Sequence, residues 1–312
     1  MSEDTMLDFR LVTFLTLCEE KSYTRTAKRL CISQPAVSQH IHYLEDYYGN
    51  KLFTYQHRTL LLTPQGEKLE QFARLSQADW AKAEAGIRSA KDKTRISFGA
   101  TMTIGEFVMP QILEELMEDL SGTNLTMLVD NTQTLLYKLR QGEIDFAIVE
   151  GLFNKNDYTT RVLSTSPFIA VCAGSHPFAA RRVSFGEIFS QRLIVREPGS
   201  GTRSILEQAL SIHNQSILSF PEKIEIANLN AIKELVEKGL GITFLYEKAA
   251  EKELRGGSLV RIDLEDFDII RNFQFVCLKG SRFEDEYLSF LEQCRSALTR
   301  AAISYVHADS PA

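Results

Sequence analysis

The 312-residue sequence predicts an α-helical N-terminal domain, one long connecting helix and a C-terminal α/β domain. Three observations support this fold class. Apolar residues recur at helical spacing through the first 65 residues, and a heptad-like pattern follows to about residue 90. Short apolar runs then alternate with helical stretches, which is typical of largely parallel α/β layers.

The first two helices are predicted from local signals. One helix face carries apolar residues at helical intervals: Leu7, Leu11, Phe14, Leu15 and Cys18. Ser22 is placed to cap a second helix, in which Ala27 and Leu30 face inward. The two residues Cys31 and Ile32 leave room only for a tight turn before the next helix begins.

The third helix has a capping residue, a buried stripe and an unusual polar face. Ser33 caps it, Pro35 lies in its first turn and Gly49 ends it. With the stripe Val37, Ile41 and Leu44 inward, the far side consists of Pro35, Ser38, Gln39 and His42. Glutamine can pair bidentately with adenine and serine can bond to base edges, so this face suits a major groove.

Two short strands follow, from Tyr55 to Leu62, with a basic tip at His57 and Arg58. Although the chain carries a net charge of −6, residues 21–63 hold six basic side chains and two acidic ones. Such a local excess suits phosphate contacts. Together these features predict a winged helix-turn-helix that binds double-stranded DNA.

Thr63 is expected to cap a long helix from Pro64 to about Ala90. Apolar and small residues recur in it about every 3.5 positions, a spacing that favours a helix–helix dimer contact. The alternative is packing on the chain's own second domain. The candidate dimer residues are Leu69, Phe72, Ser76, Trp80, Ala83 and Ile87.

The segment SYTRTAKRLCISQPAVSQHIHYLEDYYGNKLF, followed by RTLLLTPQGEKL, resembles the DNA-binding domain of LysR-type transcriptional regulators. The α/β portion is similar to that family's effector-binding domain, which resembles type 2 periplasmic solute-binding proteins. The expected domains are residues 1–65, a linker of residues 66–92 and an effector domain of residues 93–312. Lobe I is expected at about 93–163 and 267–312, and lobe II at about 164–266.

The resemblance implies which side chains meet DNA. They correspond to Thr24, Arg25, Thr26, Ser33, Gln34, Pro35, Ala36, Ser38, Gln39, His42 and Arg58. Two positions depart from the family's pattern, since Tyr55 and His42 stand where basic residues are common. The family also implies a homodimer that assembles into a homotetramer on promoter DNA, with RNA polymerase as a further candidate partner.

Three strand-to-helix loops, residues 99–105, 130–133 and 196–203, collect hydroxyls and backbone N–H groups at helix starts. Free N–H donors and the helix dipole favour an anion there. The resemblance places effectors between the lobes, lined by these loops. We therefore expect a small anion or carboxylate effector and no cofactor or metal, with these candidate residues: Thr101, Met102, Thr103, Asn131, Thr132, Glu150, Gly199, Ser200, Thr202 and Asn228.

Two other classes of protein are considered. An enzyme is disfavoured because no GxSxG elbow, P-loop, HExxH or zinc-spaced Cys/His set is present. A solute-binding protein with a helical appendage is disfavoured because the N-terminus does not resemble a secretory signal. We expect a cytoplasmic protein without a membrane span, whose five scattered cysteines are buried free thiols.

Overall fold

The computed structural model describes residues 8–57, 59–88 and 95–308. Its contacts divide the chain into an N-terminal unit that ends at Ile87 and a C-terminal unit that begins at Arg88; residues Arg140–Gly142 group with the first unit. None of the described helices combines the length and hydropathy that crossing a bilayer requires.

The N-terminal unit contains four helices and a two-stranded hairpin in its described residues. They are α1 (Phe9–Glu20), α2 (Tyr23–Leu30), α3 (Gln34–Tyr48), β1 (Phe53–Gln56), β2 (Thr59–Leu62) and α4 (Pro64–Arg88). The predicted caps are confirmed: the side chains of Ser22, Ser33 and Thr63 accept backbone N–H groups of the helices that follow them. Gly49 ends α3 with φ +64°, a conformation that glycine adopts without strain.

The core of this unit joins all of these helices except α2 to the hairpin. It consists of Phe14, Leu15, Leu17, Cys18, Ile41, Leu44, Leu52, Phe53, Leu60, Leu69 and Ala73. Leu69 was expected on a dimer seam, and that prediction is wrong, because the early turns of α4 bury this side chain in the unit's own core. Further along α4, Phe72 and Ile87 are exposed, and Ser76, Trp80 and Ala83 are half-buried.

The C-terminal unit begins with strands and helices in alternation and ends with a long helix. The first part consists of β3 (Arg95–Thr101), α5 (Met102–Phe107), α6 (Met109–Leu116), β4 (Asn124–Asp130), α7 (Thr132–Gln141), β5 (Phe146–Val149), β6 (Tyr158–Ala173), β7 (Arg182–Val183) and β8 (Leu193–Val195). The second part consists of α8 (Gly201–Ile212), β9 (Lys223–Glu225), α9 (Leu229–Glu237), β10 (Thr243–Tyr246), α10 (Glu251–Gly256), β11 (Leu259–Arg261), β12 (Asp263–Leu264), β13 (Ile269–Leu278) and α11 (Glu284–Ala308).

The main sheet of this unit is mixed. Its strand order is β10-β6-β13-β5-β3-β4, with β11 also paired to β6. Strand β3 runs parallel to β4 and β5, as the alternating pattern predicted, but β6 pairs antiparallel with β13 along ten residue pairs, from Tyr158–Leu278 to Phe168–Ile269. These two long strands lie inside the sheet, between β10 and β5.

A continuous apolar core includes residues of both long strands and a cluster of stacked and tilted phenylalanine rings: Phe98, Phe146, Phe275 and Phe290. Cysteines 18, 172, 277 and 294 are buried and free, as expected. Burial raises the pKa of Cys172 to about 11 and that of Cys277 to about 12, so both remain neutral thiols. Cys31 departs from the expectation, because it ends α2 in an exposed turn with φ +56°.

Candidate functional site

The predicted polar face of α3 is the exposed face of that helix. Gln34, Pro35, Gln39 and His42 are exposed and Ser38 is half-buried, while the apolar stripe faces the core. The amide of Gln34 donates to Ser38 Oγ at 3.0 Å, and His42 Nδ1 lies 2.7 Å from the Ser38 carbonyl oxygen. These local hydrogen bonds hold the polar side chains close to the helix. The exposed face therefore projects little, and its shape suits the major groove of DNA.

The other predicted DNA-contacting residues divide into three groups. Thr24, Arg25 and Ser33 are exposed, and Ala36 is half-buried. Thr26 is 0% exposed, so the prediction that it touches DNA is corrected: it lies on the inner face of α2, where its side chain packs inside the unit. Arg58, the predicted wing arginine, lies outside the described residues.

The basic side chains around α2 and α3 already have acidic neighbours. Arg29 pairs with Glu19 at 2.7 Å and with Glu20 at 3.1 Å, and Arg25 approaches Glu20 at 3.5 Å. Exposed pairs of this kind contribute only about 0–1 kcal/mol, because water screens them. A phosphate group can therefore compete for these cations, although the local positive charge is smaller than the sequence count suggests.

In the C-terminal unit, hydroxyls from three predicted loops converge on one residue, Glu150. Glu150 follows β5, and its Oε1 accepts hydrogen bonds from Thr103 Oγ1 at 3.1 Å and from Thr202 Oγ1 at 2.8 Å. Thr132 Oγ1 donates to the main-chain oxygen of Glu150 at 2.8 Å. The starts of α5, α7 and α8 are thus brought together at a single buried residue.

Glu150 is only 1% exposed. Burial raises its pKa to about 7, against the lowering effects of the Thr202 hydroxyl, the positive charge of Arg196 and the Thr103 hydroxyl. The carboxyl group therefore changes its charge close to neutral pH. Its second oxygen, Oε2, has no hydrogen-bond partner.

Four further buried polar groups in this region lack a hydrogen-bond partner: Thr101 Oγ1, Ser200 Oγ, Arg196 Nη1 and the hydroxyl of Tyr246. Arg196 is held by Glu197, which accepts from Nε at 2.7 Å and from Nη2 at 2.9 Å. Each of these four groups can donate a hydrogen bond, and a buried donor without a partner is costly. The arrangement suits a ligand with several acceptor atoms.

Two glycines let the backbone around Glu150 lie close to the start of α8. A Cβ on Gly201, the first residue of α8, would lie 2.4 Å from the Glu150 carbonyl oxygen and 2.8 Å from Glu150 Cγ. Gly151 has φ +92°, and a Cβ there would lie 2.5 Å from the Cα of Gly201. Only glycine fits at both positions, because backbone would have to move to admit a side chain.

The remaining predicted effector residues are less central. Asn131 caps α7 by accepting the Thr134 N–H at 2.9 Å, and the exposed Asn228 caps α9 in the same way at 2.8 Å. Met102 is half-buried, and the structure gives it no polar role. Gly199 has φ +89°, and a Cβ there would lie 3.0 Å from Gln133 Oε1, so the 198–201 loop also approaches the start of α7.

A cavity of about 200 Å³ opens beside this loop, with Thr132, Gly199 and Ser200 in its lining. Glu150 is buried and does not line that cavity. Sequence reasoning missed two of the converging groups, Arg196 and Tyr246. Each is a polar residue directly at the end of an apolar strand run, and that position was the available signal.

No group of three or more His, Cys, Asp or Glu side chains is placed to hold a metal ion within the part of the chain that the structure describes. The site is therefore built from hydroxyls, one guanidinium and one carboxyl group.

Comparison with known proteins agrees with this geometry. Residues 9–67 match the model of the bacterial regulatory helix-turn-helix protein, lysR family, and residues 89–299 match that of the LysR substrate binding domain. The regulator CysL of Bacillus subtilis is 28% identical over 85% of this chain and 89% of its own length. The RuBisCO operon transcriptional regulator of Allochromatium vinosum is 27% identical over 93% of this chain and 96% of its own.

Solved structures show the same fold. A cysteine-to-serine mutant of Corynebacterium glutamicum OxyR with bound H2O2 superposes with a TM-score of 0.60 at 25% identity over 99% of this chain and 98% of that one. The regulatory domain of Synechocystis CcmR in complex with 2-PG gives a TM-score of 0.60 at 22% identity over 65% of this chain and 97% of that one. Since the substrate-binding model covers more than half of the sequence, this chain belongs to the LysR family of DNA-binding transcriptional regulators, which are not enzymes.

Proposed function

We propose that this regulator binds promoter DNA through the exposed face of α3 and is switched by a small oxyanion or carboxylate held between its two lobes. The observation that carries the proposal is the convergence of three helix starts on the buried Glu150, together with four buried donor groups without partners in the same unit. The CcmR regulatory domain bound to 2-PG supports a small-molecule effector for this type of domain.

The proposed DNA surface separates base contacts from backbone contacts. Gln34, Ser38, Gln39 and His42 offer short amide, hydroxyl and imidazole groups along one face of α3. The exposed Thr24 and Arg25 lie on α2, and Lys28 and Lys51 add exposed positive charge. Contacts to phosphate fix position and contacts to base edges supply specificity, so the two sets are expected to fail differently when mutated.

The double variant Ser38→Ala/Gln39→Ala is expected to lose roughly 5- to 150-fold in preference for the operator, because one bidentate base contact contributes about 1–3 kcal/mol. Its nonspecific affinity should remain and should still fall steeply with salt, since phosphate contacts release counterions. Fluorescence anisotropy on operator and scrambled duplexes measures both. Gln71→Ala, at an exposed glutamine of α4, is the matched control. A double variant that keeps full operator preference would contradict the assignment.

The proposed effector charge follows from the balance of free groups. Thr101, Ser200, Arg196 and Tyr246 present four donors without partners, against one free carboxyl oxygen. The first turns of α7 and α8 carry no acidic residue of their own, so the positive ends of both helix dipoles favour an anion in this region, where Glu150 is the acidic group already present. Acceptor-rich anions such as sulfate and simple carboxylates match this set of groups.

Ser200→Ala is expected to weaken the binding of a small oxyanion by roughly 10- to 150-fold, because a hydrogen bond to a charged group contributes about 1.5–3 kcal/mol. Isothermal titration calorimetry with sulfate, oxalate and glycolate on the full chain measures the loss. Ser211→Ala removes an exposed hydroxyl from the same helix and should bind like the wild type. Equal affinity of the two variants, or binding of cations alone, would refute the anionic effector.

Dimerisation through α4 belongs to the same proposal. Phe72 and Ile87 are exposed on this helix, and Ser76, Trp80 and Ala83 are half-buried, so all five remain candidates for the helix–helix contact. Pairs of such dimers on DNA would form the proposed tetramer, with RNA polymerase as a further proposed partner. An effector can shift this assembly only if it binds one arrangement more tightly than the other.

A further inference from the structure

We propose that Glu150 couples effector binding to proton uptake, so that the site accepts a small oxyanion only together with one proton. The inference rests on the proposed function, since it concerns the same cleft and the same anionic ligand. It goes beyond that proposal by assigning one residue as the determinant of ligand charge.

The two oxygens of Glu150 have different surroundings. Oε1 accepts from Thr103 and Thr202, whereas Oε2 is buried without a partner. Thr101 also lies close enough to lower the pKa of this carboxyl group, although its hydroxyl is aligned with no acceptor. A ligand that accepts hydrogen bonds from Thr101 and Ser200 would therefore meet Oε2. If both were ionised, two anions would face each other in a desolvated space.

Nearby cations offset only part of that repulsion, because the charge of Arg196 lowers the pKa of Glu150 but burial still raises it to about 7. Arg196 lies after β8, and two of its nitrogens are already bound to Glu197 at 2.7 and 2.9 Å. Tyr246 ends β10, and burial raises the pKa of its phenol well above the ordinary value, so it stays neutral. The positive charge of Arg271 on β13 lowers the pKa of Tyr246, but the effect of burial is larger. The loops before α5, α7 and α8 bring hydroxyls at Thr101, Thr103, Thr132 and Thr202, which carry no charge.

Protonation of Glu150 removes the repulsion between its carboxylate and the anionic ligand, and it adds a hydrogen-bond donor. A neutral Glu150 keeps Oε1 as the acceptor for both threonines and turns Oε2 into an O–H that can donate to the oxyanion. The proton on the carboxyl group is then shared with the ligand, as it is between paired carboxyl groups. The negative charge in the occupied site would then be that of the ligand alone, one for glycolate and two for sulfate, surrounded by hydroxyl, guanidinium and carboxylic acid donors.

The expected pH dependence follows from the pKa of about 7 in the free protein. A bound oxyanion raises that pKa further, so the complex keeps the proton over the whole range from pH 6 to 8.5. Below about pH 6 the free protein is already protonated, and binding takes up no proton. Above pH 7 binding must take up one proton, and affinity falls about tenfold for each further pH unit.

An ammonium-bearing effector is the alternative that this arrangement disfavours. It would pair with ionised Glu150, release a proton on binding and bind more tightly as the pH rises through 7. The four free donors around the single free carboxyl oxygen leave such a cation with few acceptors. Opposite pH trends therefore separate the two ligand classes in one experiment.

The test is calorimetric titration of the full chain with sulfate, whose charge is constant from pH 6 to 8.5. Each pH is measured in two buffers of different ionisation enthalpy, so that the number of protons taken up is obtained directly. Wild type should take up close to one proton at pH 8.5 and none at pH 6. Glu150→Gln, which mimics the neutral acid, should bind without proton exchange and about 30-fold more tightly than wild type at pH 8.5.

Three other results would overturn either the proton coupling or the anionic effector itself. Sulfate binding to wild type that is independent of pH and exchanges no proton would overturn the coupling while leaving the anionic effector standing. Loss of sulfate binding in Glu150→Gln, with its thermal transition unchanged, would also overturn the coupling. If sulfate, oxalate and glycolate bind neither protein at any pH, the anionic effector itself fails, and the coupling fails with it.

Discussion

Gly201→Ala is expected to weaken oxyanion binding by roughly 5- to 150-fold, which corresponds to an overpacking cost of about 1–3 kcal/mol in the closed cleft. The added Cβ would lie 2.4 Å from the Glu150 carbonyl oxygen and 2.8 Å from Glu150 Cγ. Neither atom belongs to a flexible side-chain end, so the start of α8 must move away. Thr202 would then lose its 2.8 Å bond to Glu150, and Ser200 would leave the site.

The experiment compares Gly201→Ala with Gly186→Ala by calorimetry with sulfate. Gly186 lies before a short helical turn in the same lobe with φ −69°, and a Cβ there would meet nothing within 4 Å. This control should bind like the wild type and unfold at the same temperature. Wild-type affinity in Gly201→Ala would show that the ligand does not need the closed contact, and would exclude the 198–202 loop as part of its site.

The local features of the fold could be predicted from the sequence because their causes are local. Ser22 and Ser33 mark the starts of their helices, and Gly49 marks the end of α3. Each does so through hydrogen bonds to residues two to four positions away. Thr26 and Leu69 were misplaced for other reasons. Thr26 was assigned to DNA by the family resemblance, which does not show which face of α2 is buried. For Leu69, spacing along one helix cannot decide between a partner chain and the unit's own core.

Strand pairing in the mixed sheet could also be predicted only in part, because it joins residues far apart in the sequence. Alternating strands and helices predicted parallel pairing, and β3, β4 and β5 follow it. The antiparallel pairing of β6 with β13 joins residues more than 100 positions apart, and it includes a register shift at Phe273 and Gln274. Register of this kind depends on which face each strand buries in the finished fold, so periodicity within each strand does not reveal it.

The candidate site was predictable in composition but not in its internal pairing. Hydroxyls before helices were the signal that selected Thr101, Thr103, Ser200 and Thr202. The sequence suggested that these hydroxyls are free to bind an external anion. In the structure, Thr103 and Thr202 instead donate hydrogen bonds to the carboxyl group of Glu150. That pairing joins segments 47 and 52 positions apart in the sequence, and the burial it creates raises the pKa of Glu150.

Phe14→Ala is expected to destabilise the N-terminal unit by about 3–5 kcal/mol, the usual cost of removing a buried phenylalanine. Phe14 is 0% exposed and lies 5.4 Å, centroid to centroid, from the ring of Phe53. It shares its core with residues of α1, α3, α4 and the hairpin. A unit of this size is stable by only about 4–12 kcal/mol, so a large fraction of it should unfold on mild heating.

Denaturant titration of the full chain, followed by circular dichroism, should show an early transition in Phe14→Ala that the wild type lacks. Operator binding should fall in parallel, while calorimetry with sulfate should give wild-type affinity, because the effector cleft has its own core. Tyr55→Ala is the matched control, since this aromatic ring is 65% exposed in the same unit and its loss should cost little stability. A single late transition in Phe14→Ala would mean that the unit does not depend on this core for its stability.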